Sequence, residues 1–143
     1  MPKRAKPQRR HQFFLNPYVD FRFTFCPKCR GSTRLRKFPF AILIEPNQLL
    51  ALNMTGRYCP GCDLIIIHQD VLEDLLVRMF EPTHPEIVGN DYHVFGTVDR
   101  ADWREGVQTQ RSSAGFLDLV HEFKRVLSFE MKGGWMPPAE RGG

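Results

Sequence analysis

Residues 56–70, GRYCPGCDLIIIHQD, decide the fold that we predict for this chain. They place the pair Cys59-Pro60-Gly61-Cys62 directly before an aliphatic run and an acidic residue suited to a helix start. The chain has four cysteines, and the other two form a matching pair in Cys26-Pro27-Lys28-Cys29. Zinc binds four thiolates tetrahedrally, and a C-x-x-C turn presents two of them from one short loop. The sequence therefore predicts one structural zinc ion, bound by Cys26, Cys29, Cys59 and Cys62.

Disulfide bonds and a redox-active dithiol are the alternatives for these cysteines. A thioredoxin-like dithiol would lie at a helix start within a βαβ unit, and neither pair is predicted there. The chain has no apolar run of about 18–20 residues, and its first residues, MPKRAKPQRRHQ, lack the apolar part of a secretory signal. We therefore expect a cytoplasmic protein with no membrane partner, and in that reducing compartment C-x-x-C pairs favour metal.

The segments around the cysteine pairs predict mostly β-structure. Residues 19–25 alternate apolar and polar side chains, which predicts a half-buried strand leading to Cys26. Between the pairs we predict strands at 34–38, 41–45 and 49–58, with Pro39 marking an edge or a bulge. Residues 64–67 predict a short strand. Asp70, followed by Glu73, predicts a capped amphipathic helix that Pro82 ends.

The second half of the chain predicts a smaller αβ unit. It would contain a strand over 92–98, a turn or short helix at 101–106 and a helix with the apolar stripe Phe116, Leu119, Val120, Phe123 and Leu127. The predicted fold class is α+β: a four-cysteine zinc ribbon of antiparallel strands with a helix, packed against a small αβ extension. The predicted boundaries are a flexible basic arm (1–18), the ribbon with its following helix (19–82), the extension (83–136) and a disordered tail (137–143).

A family resemblance accompanies these motifs. Residues 25–29 and 57–63, with β-structure between them, resemble the zinc-ribbon superfamily. The run over 56–62, followed by an aliphatic strand and an acidic helix start, is similar to the ribbon of some bacterial antitoxin-type proteins. The resemblance covers residues 19–80 and implies a four-thiolate structural zinc. Ribbons serve transcription, translation and protein docking alike, so the resemblance leaves the function open.

The charge of the chain is strongly segregated. Residues 1–37 contain eleven Lys or Arg and one acid, a net charge of +10, whereas residues 38–143 contain nine basic and fifteen acidic residues, a net of −6. A basic segment with nearby aromatic rings is typical of contact with nucleic acid. The predicted contact residues are Lys3, Arg4, Lys6, Arg9, Arg10, Phe14, Lys28, Arg30, Arg34, Arg36 and Lys37.

These patterns predict a non-enzymatic, zinc-stabilised binding module that contacts RNA or DNA through its basic N-terminal face. The alternative is a protein-interaction adaptor, or an antitoxin-like regulator, that uses the acidic C-terminal part. A third class is an enzyme that uses Asp99 and Asp102 with a histidine, but no nucleophile is identifiable beside them. A helix cap at Asp99 accounts for that stretch more simply. Phe14 packed on the ribbon is likewise the structural alternative to a stacking ring.

Overall fold

The structure is a computed structural model that describes residues 7–108 and 113–129. Within these residues the chain forms strands, α-helices and one short 3-10 helix. In order they are β1 (Gln12–Asn16), β2 (Arg34–Ile44), β3 (Gln48–Cys59), β4 (Leu64–His68), α1 (Gln69–Phe80), the 3-10 helix (Pro85–Ile87), β5 (Tyr92–Thr97), α2 (Arg100–Gln108), α3 (Ser113–Leu117), β6 (His121–Glu122) and β7 (Arg125–Leu127). The predicted α+β class is confirmed at this level.

All seven strands belong to one mixed sheet in the order β6-β5-β2-β3-β4-β1-β7. The long hairpin of β2 and β3 is antiparallel, whereas β1 is parallel to both of its neighbours. The outermost strands β6 and β7 are separated in sequence by Phe123 and Lys124 alone. The Lys124 amide donates to the His11 carbonyl at 2.8 Å, and the Arg10 amide donates to the Glu122 carbonyl at 3.0 Å. The sheet therefore curls until its two edges meet beside β1.

The inner face of the curled sheet holds the main core. In β4, Ile65 and Ile67 join this inner cluster, while Leu64 and Ile66 face outward into a second cluster. Burial on both faces explains why β4 is a continuous aliphatic run rather than an alternating one. Helix α1 covers the inner core with Leu72, Leu76 and Phe80, which are all buried. The row Val71, Leu75 and Met79 is more exposed.

The outer cluster brings the cysteines to the sheet. Cys26 and Cys59 are buried there with Phe14, Phe23, Leu64 and Ile66. The second cysteine pair spans the turn between β3 and β4, and the first lies in the loop before β2. The cysteine site therefore lies on the outer face of the sheet, where β3, β4 and the loop before β2 meet.

The N-terminal boundary predicted from sequence is wrong. Residues 12–16, assigned to the flexible arm, form β1 between β4 and β7. Residues 19–25, predicted as a strand, contribute only one isolated bridge, between Phe25 and Ser32. Asn16 turns the chain here, because its side chain accepts from the Tyr18 amide at 2.9 Å and donates to the Phe21 carbonyl at 2.7 Å. The positive φ of Phe23, 48°, then interrupts extended structure.

The predicted C-terminal extension is not a separate unit in the structure. Strand β5 pairs with β2, and β6 pairs with β5, so both continue the sheet that carries the cysteines. The helix predicted through Leu127 ends at Leu117, and the rest of the apolar stripe lies before β6, between β6 and β7, and at the end of β7. Phe123 stacks on Phe13 with ring centroids 4.5 Å apart, a contact that only the closed sheet provides. The predicted tail, 137–143, lies outside the described residues.

The remaining strand predictions match closely. The segments predicted at 34–38 and 41–45 form the single strand β2, which runs through Pro39. Pro39 pairs with Asn53 of β3 at a position before the pairing of β2 with β5 begins. An irregularity in that pairing falls between Ala41 and Ile42, close to the bulge that Pro39 predicts. Helix α1 begins after His68 with no side-chain cap, so the predicted capping box does not form.

Candidate metal centre and basic surface

The four cysteines converge. Their sulfur atoms all lie within 4.8 Å of one another. Cys29 Sγ lies 3.5 Å from Cys59 Sγ, and Cys26 Sγ lies 3.9 Å from Cys62 Sγ. A tetrahedral zinc ion with bonds of about 2.3 Å requires sulfur atoms about 3.8 Å apart. The four free thiols therefore have the spacing and the chemistry to bind one tetrahedral metal ion.

Each cysteine pair forms the tight turn that such a site needs. The Lys28 amide donates to Cys26 Sγ at 3.3 Å, and the Gly31 amide donates to Cys29 Sγ at 3.4 Å. The residue after each pair has a left-handed backbone, with φ of 65° at Arg30 and 54° at Asp63. Asp tolerates this conformation better than Arg does. Arg30 adopts it nonetheless, which places Gly31 where its amide reaches the sulfur.

The thiols differ in acidity before any metal binds. Hydrogen bonds from the Gly31 amide and from the Cys59 thiol lower the pKa of Cys29 to about 7. The hydrogen bond that Cys62 makes with Cys29 raises the pKa of Cys62 to about 12. Burial raises the pKa of Cys59. Because a metal binds thiolates, its uptake displaces protons from the sulfurs with raised pKa values.

Asp63 connects the second cysteine pair to the edge of the curled sheet. Its Oδ1 atom lies 2.6 Å from His11 Nδ1 and accepts a hydrogen bond from the Tyr58 hydroxyl at 2.7 Å. Its Oδ2 atom lies 3.6 Å from Lys124 Nζ. Burial and the bond to Asp63 raise the pKa of Tyr58 to about 12, so the hydroxyl remains a donor. Sequence reasoning missed this network, because His11 and Lys124 are far in sequence from Tyr58 and Asp63.

The predicted contact residues of the arm divide into two groups. Lys3, Arg4 and Lys6 lie outside the described residues. Arg9 and Arg10 serve the fold: Arg9 donates to the Phe123 carbonyl at 3.2 Å and approaches Glu122 at 3.5 Å. Arg10 pairs with Asp99 at 2.9 Å. These two cations are already partly neutralised within the protein.

Phe14 does not lie where a stacking ring must lie. It is only 2% exposed, and its ring packs edge-on against Phe23 and Phe129, with centroids 5.3 and 4.9 Å away. A buried ring offers no face to a base, so its assignment as a contact residue is corrected. Phe14 belongs to the outer cluster beside the cysteines.

The predicted cations near the first cysteine pair are all exposed. Lys28 donates to the Gln12 side chain at 2.9 Å, and the Arg36 guanidinium lies over the rings of Phe38 and Tyr58 at 4.8 and 5.2 Å. Within the described part of the chain, no carboxylate forms an ion pair with any member of this group. The group, called the basic surface below, consists of Lys28, Arg30, Arg34, Arg36 and Lys37.

Two arginines outside the predicted contact set, Arg22 and Arg57, add one exposed and one half-exposed cation to this part of the molecule. Arg57 lies opposite Leu35 in the β2–β3 hairpin, on the strand that leads to Cys59. Burial, and then the positive charges of Arg22 and Arg57, lower the pKa of His68. Neither forms an ion pair with a carboxylate of residues 7–108 or 113–129. For Arg57 the signal is its place on the predicted strand that leads to Cys59, and Arg22 already counts among the cations of residues 1–37.

The acids proposed for an enzyme do not form a pair of free carboxylates. Asp99 is bound by Arg10 and lies 3.5 Å from His121 Nε2. Asp102 lies in the first turn of α2. No helix in the described residues is long and apolar enough to cross a membrane. Comparisons with protein-family models, with curated proteins and with solved structures found no match to this chain.

Proposed function

We propose that this protein is a non-enzymatic, cytoplasmic binding module of the zinc-ribbon type, which contacts RNA or DNA through the basic surface. One observation carries the proposal. Seven cations are exposed or half-exposed and have no ion-pair partner among the described residues. They are the five residues of the basic surface, Arg22 and Arg57. Arg9 and Arg10, in contrast, each form an ion pair within the protein. Unpaired cations neutralise phosphates without first breaking internal ion pairs. The exposed cations beside the cysteines are thus better suited to a polyanion than the two paired arm residues.

The metal part of the proposal rests on the sulfur geometry. Four thiols at the spacing of a tetrahedral site, each pair in a tight turn, support one zinc ion with no open coordination position. Such an ion stabilises the fold, because the site is absent from the unfolded chain. We expect one zinc ion per chain in protein purified under reducing conditions.

Replacing a buried ligand tests the zinc. Cys59→Ser should remove zinc and unfold the region around the cysteines, because Cys59 lies in the outer cluster. The measurements are metal analysis and thermal unfolding, with chelator-treated native protein for comparison. Native protein without zinc, or with Cys26 and Cys29 joined in a disulfide, would refute the zinc site.

Salt dependence tests the nucleic-acid interface. If four or five cations each neutralise one phosphate, log K should fall with log salt with a slope of about −3 to −4.5. Replacing Lys28, Arg30 and Arg34 together by Gln should reduce the magnitude of the slope by about 2–3. The matched control is Arg78→Gln, because Arg78 pairs with Asp74 on α1 at 2.8 Å.

The outcomes separate the candidate functions. Absence of binding to RNA and DNA at about 50 mM salt would refute the nucleic-acid module. An unchanged slope in the triple variant would show that the phosphates contact another part of the protein. The arm is then examined through Lys3, Arg4 and Lys6, because replacing Arg9 or Arg10 would also disturb ion pairs of the fold.

A second candidate, the adaptor, is supported by a different part of the molecule. A groove of about 220 Å³ lies beside α1 and is lined mainly by apolar groups, including Ile44, Leu76 and Phe80. Val77 and Val88 on its wall are each 37% exposed. An antitoxin-like regulator or adaptor would use this face for a protein partner. Val77→Asp should then abolish partner binding and leave nucleic-acid binding unchanged, whereas the basic-surface variant should do the reverse.

A further inference from the structure

Phe25 is the exposed aromatic ring closest in sequence to the cysteine site. It directly precedes Cys26, and it is 63% exposed although Phe23, two residues earlier, is 5% exposed. Phe21 and Phe14 pack on Phe23 at centroid distances of 4.5 and 5.3 Å, so the inward ring already serves the core. The fold does not require the Phe25 ring for packing.

The backbone under this ring is firmly held. Phe25 bridges to Ser32, the Thr33 amide donates to the Thr24 carbonyl at 2.9 Å, and the Cys26 amide donates to the Gly31 carbonyl at 2.7 Å. These bonds pair residues 24–26 with residues 31–33 in one short hairpin, and the first cysteine pair lies at its turn. The ring therefore projects from a pre-organised backbone, which lowers the entropic cost of using it in binding.

Single exposed apolar side chains are common and need no explanation by themselves. The surroundings of Phe25 distinguish it. Arg30 and Arg34 each lie two residues from Ser32, its bridge partner, one in the turn before Ser32 and the other at the start of β2. Leu35, which follows Arg34, is 65% exposed. The hairpin that carries the ring thus also carries two cations with no ion-pair partner among the described residues, and residues 1–37 contain a single acid, Asp20.

We propose that Phe25 is a base-stacking platform and that the nucleic acid bound by the basic surface is single-stranded. This inference rests on the proposed function. Phosphate contacts alone require cations and no ring, and a duplex conceals the faces of its bases in the stack. An unpaired base presents a π-face that stacks on an aromatic side chain whatever its sequence. Positive charge around an exposed ring complements both parts of a single strand, the phosphates and the bases.

The test compares two substitutions of the same ring. Phe25→Leu keeps apolar area and removes the π-face, whereas Phe25→Trp keeps a stacking face. Each variant is titrated at one salt concentration with a single-stranded DNA of about 12 nucleotides, with the RNA of the same sequence and with the DNA duplex. Fluorescence anisotropy measures the affinity, and zinc content and circular dichroism verify the fold. Leu117→Ala is the control, because Leu117 is a 48% exposed apolar residue on α3.

We expect Phe25→Leu to weaken binding of at least one single strand by between about 5-fold and about 150-fold. The single-strand affinities of Phe25→Trp and Leu117→Ala should remain within about 2-fold of the native affinity. The duplex affinity of every variant should also remain within about 2-fold of the native value. Unchanged single-strand binding in Phe25→Leu would overturn the stacking role and leave the proposed function intact. Equal losses for single strand and duplex would also overturn it. If the native protein binds none of the three probes, the proposed function fails and the inference fails with it.

Discussion

Asp63 and Asp99 have similar positions at the scale of single residues: each joins the N-terminal segment to a distant part of the chain. Asp63 binds His11, and Asp99 binds Arg10. Burial alone would raise the pKa of either carboxyl group. At Asp63, Tyr58, His11 and Lys124 together outweigh burial, and at Asp99 Arg10 and His121 together do so, so both pKa values are lowered. The ionised carboxylates thus fasten the segment that begins β1.

The lowered pKa of Asp99 predicts a pH dependence of stability. Its contribution is present above the unfolded pKa of about 3.9 and is lost as pH falls through the lower folded-state value. Because the Arg10 and Asp99 side chains are 49% and 51% exposed, Asp99→Asn should lower the free energy of unfolding at neutral pH by less than about 1 kcal/mol. Urea unfolding of both proteins at neutral pH and near pH 3 measures the difference.

The difference between the native protein and Asp99→Asn should be smaller near pH 3 than at neutral pH, and it should vanish below the folded-state pKa. Asp118→Asn is the matched control, because Asp118 is exposed and forms no ion pair with the described residues. A difference that persisted unchanged below the folded-state pKa would show that Asp99 stabilises the fold other than through its charge.

At the scale of elements, the close approach of β5 to β6 depends on a residue without a side chain. Gly96 pairs with Glu122, the last residue of β6, and β7 begins three residues later at Arg125. A Cβ atom at Gly96 would lie against the His121 carbonyl oxygen and 2.7 Å from Val120 Cγ1. Such contacts are closer than packed atoms tolerate. The glycine therefore allows the short edge strand β6 to reach its partner.

Gly96→Ala should destabilise the protein by about 1–3 kcal/mol through overpacking. Denaturant unfolding measures the loss, which should come from displacement of β6 and leave zinc content unchanged. Gly61→Ala is the comparison, because its added methyl group would meet only Cys59 Sγ at 3.9 Å. Equal stability of Gly96→Ala and the native protein would mean that β6 can move without cost.

For the whole molecule, the curling of the sheet decides where everything else lies. It brings β6 and β7 alongside the segment that begins β1, with Phe13 and Phe123 stacked in the core. Asp63, directly after the last cysteine, reaches the same region through His11 and Lys124. The cysteine site lies on the outer face of the sheet and the Phe13–Phe123 stack lies in the inner core, yet Asp63 connects the two regions.

Phe123→Ala should reveal the contribution of this closure. Phe123 is 3% exposed, and removing a buried Phe side chain costs about 3–5 kcal/mol. Phe25→Ala is a matched control with the same chemical change at a 63% exposed position, where the cost should stay within about 0.5 kcal/mol. The measurement is the free energy of unfolding in denaturant. Similar losses in the two variants would contradict the assignment of Phe123 to the core.

The sequence by itself determined the features that local pattern controls. The two C-x-x-C pairs predicted a single cluster of four cysteines, because each C-x-x-C turn presents two thiolates to one tetrahedral ion. The strands β3, β4 and β5 and helix α1 follow from apolar periodicity and from Pro82, which are properties of neighbouring residues. The identity of the metal and the nucleic-acid partner stay predictions.

Only the tertiary structure decided which residues are buried and which cations are free. The run Gln12–Asn16 becomes a strand because β4 and β7 lie on either side of it, and no local pattern encodes those partners. Arg10 is neutralised by an acid 89 residues away, while Arg30 and Arg34 have no ion-pair partner among the described residues. Phe14 is buried and Phe25 is exposed for the same reason. Burial depends on distant parts of the chain that pack together, whereas periodicity reports only on residues near in sequence.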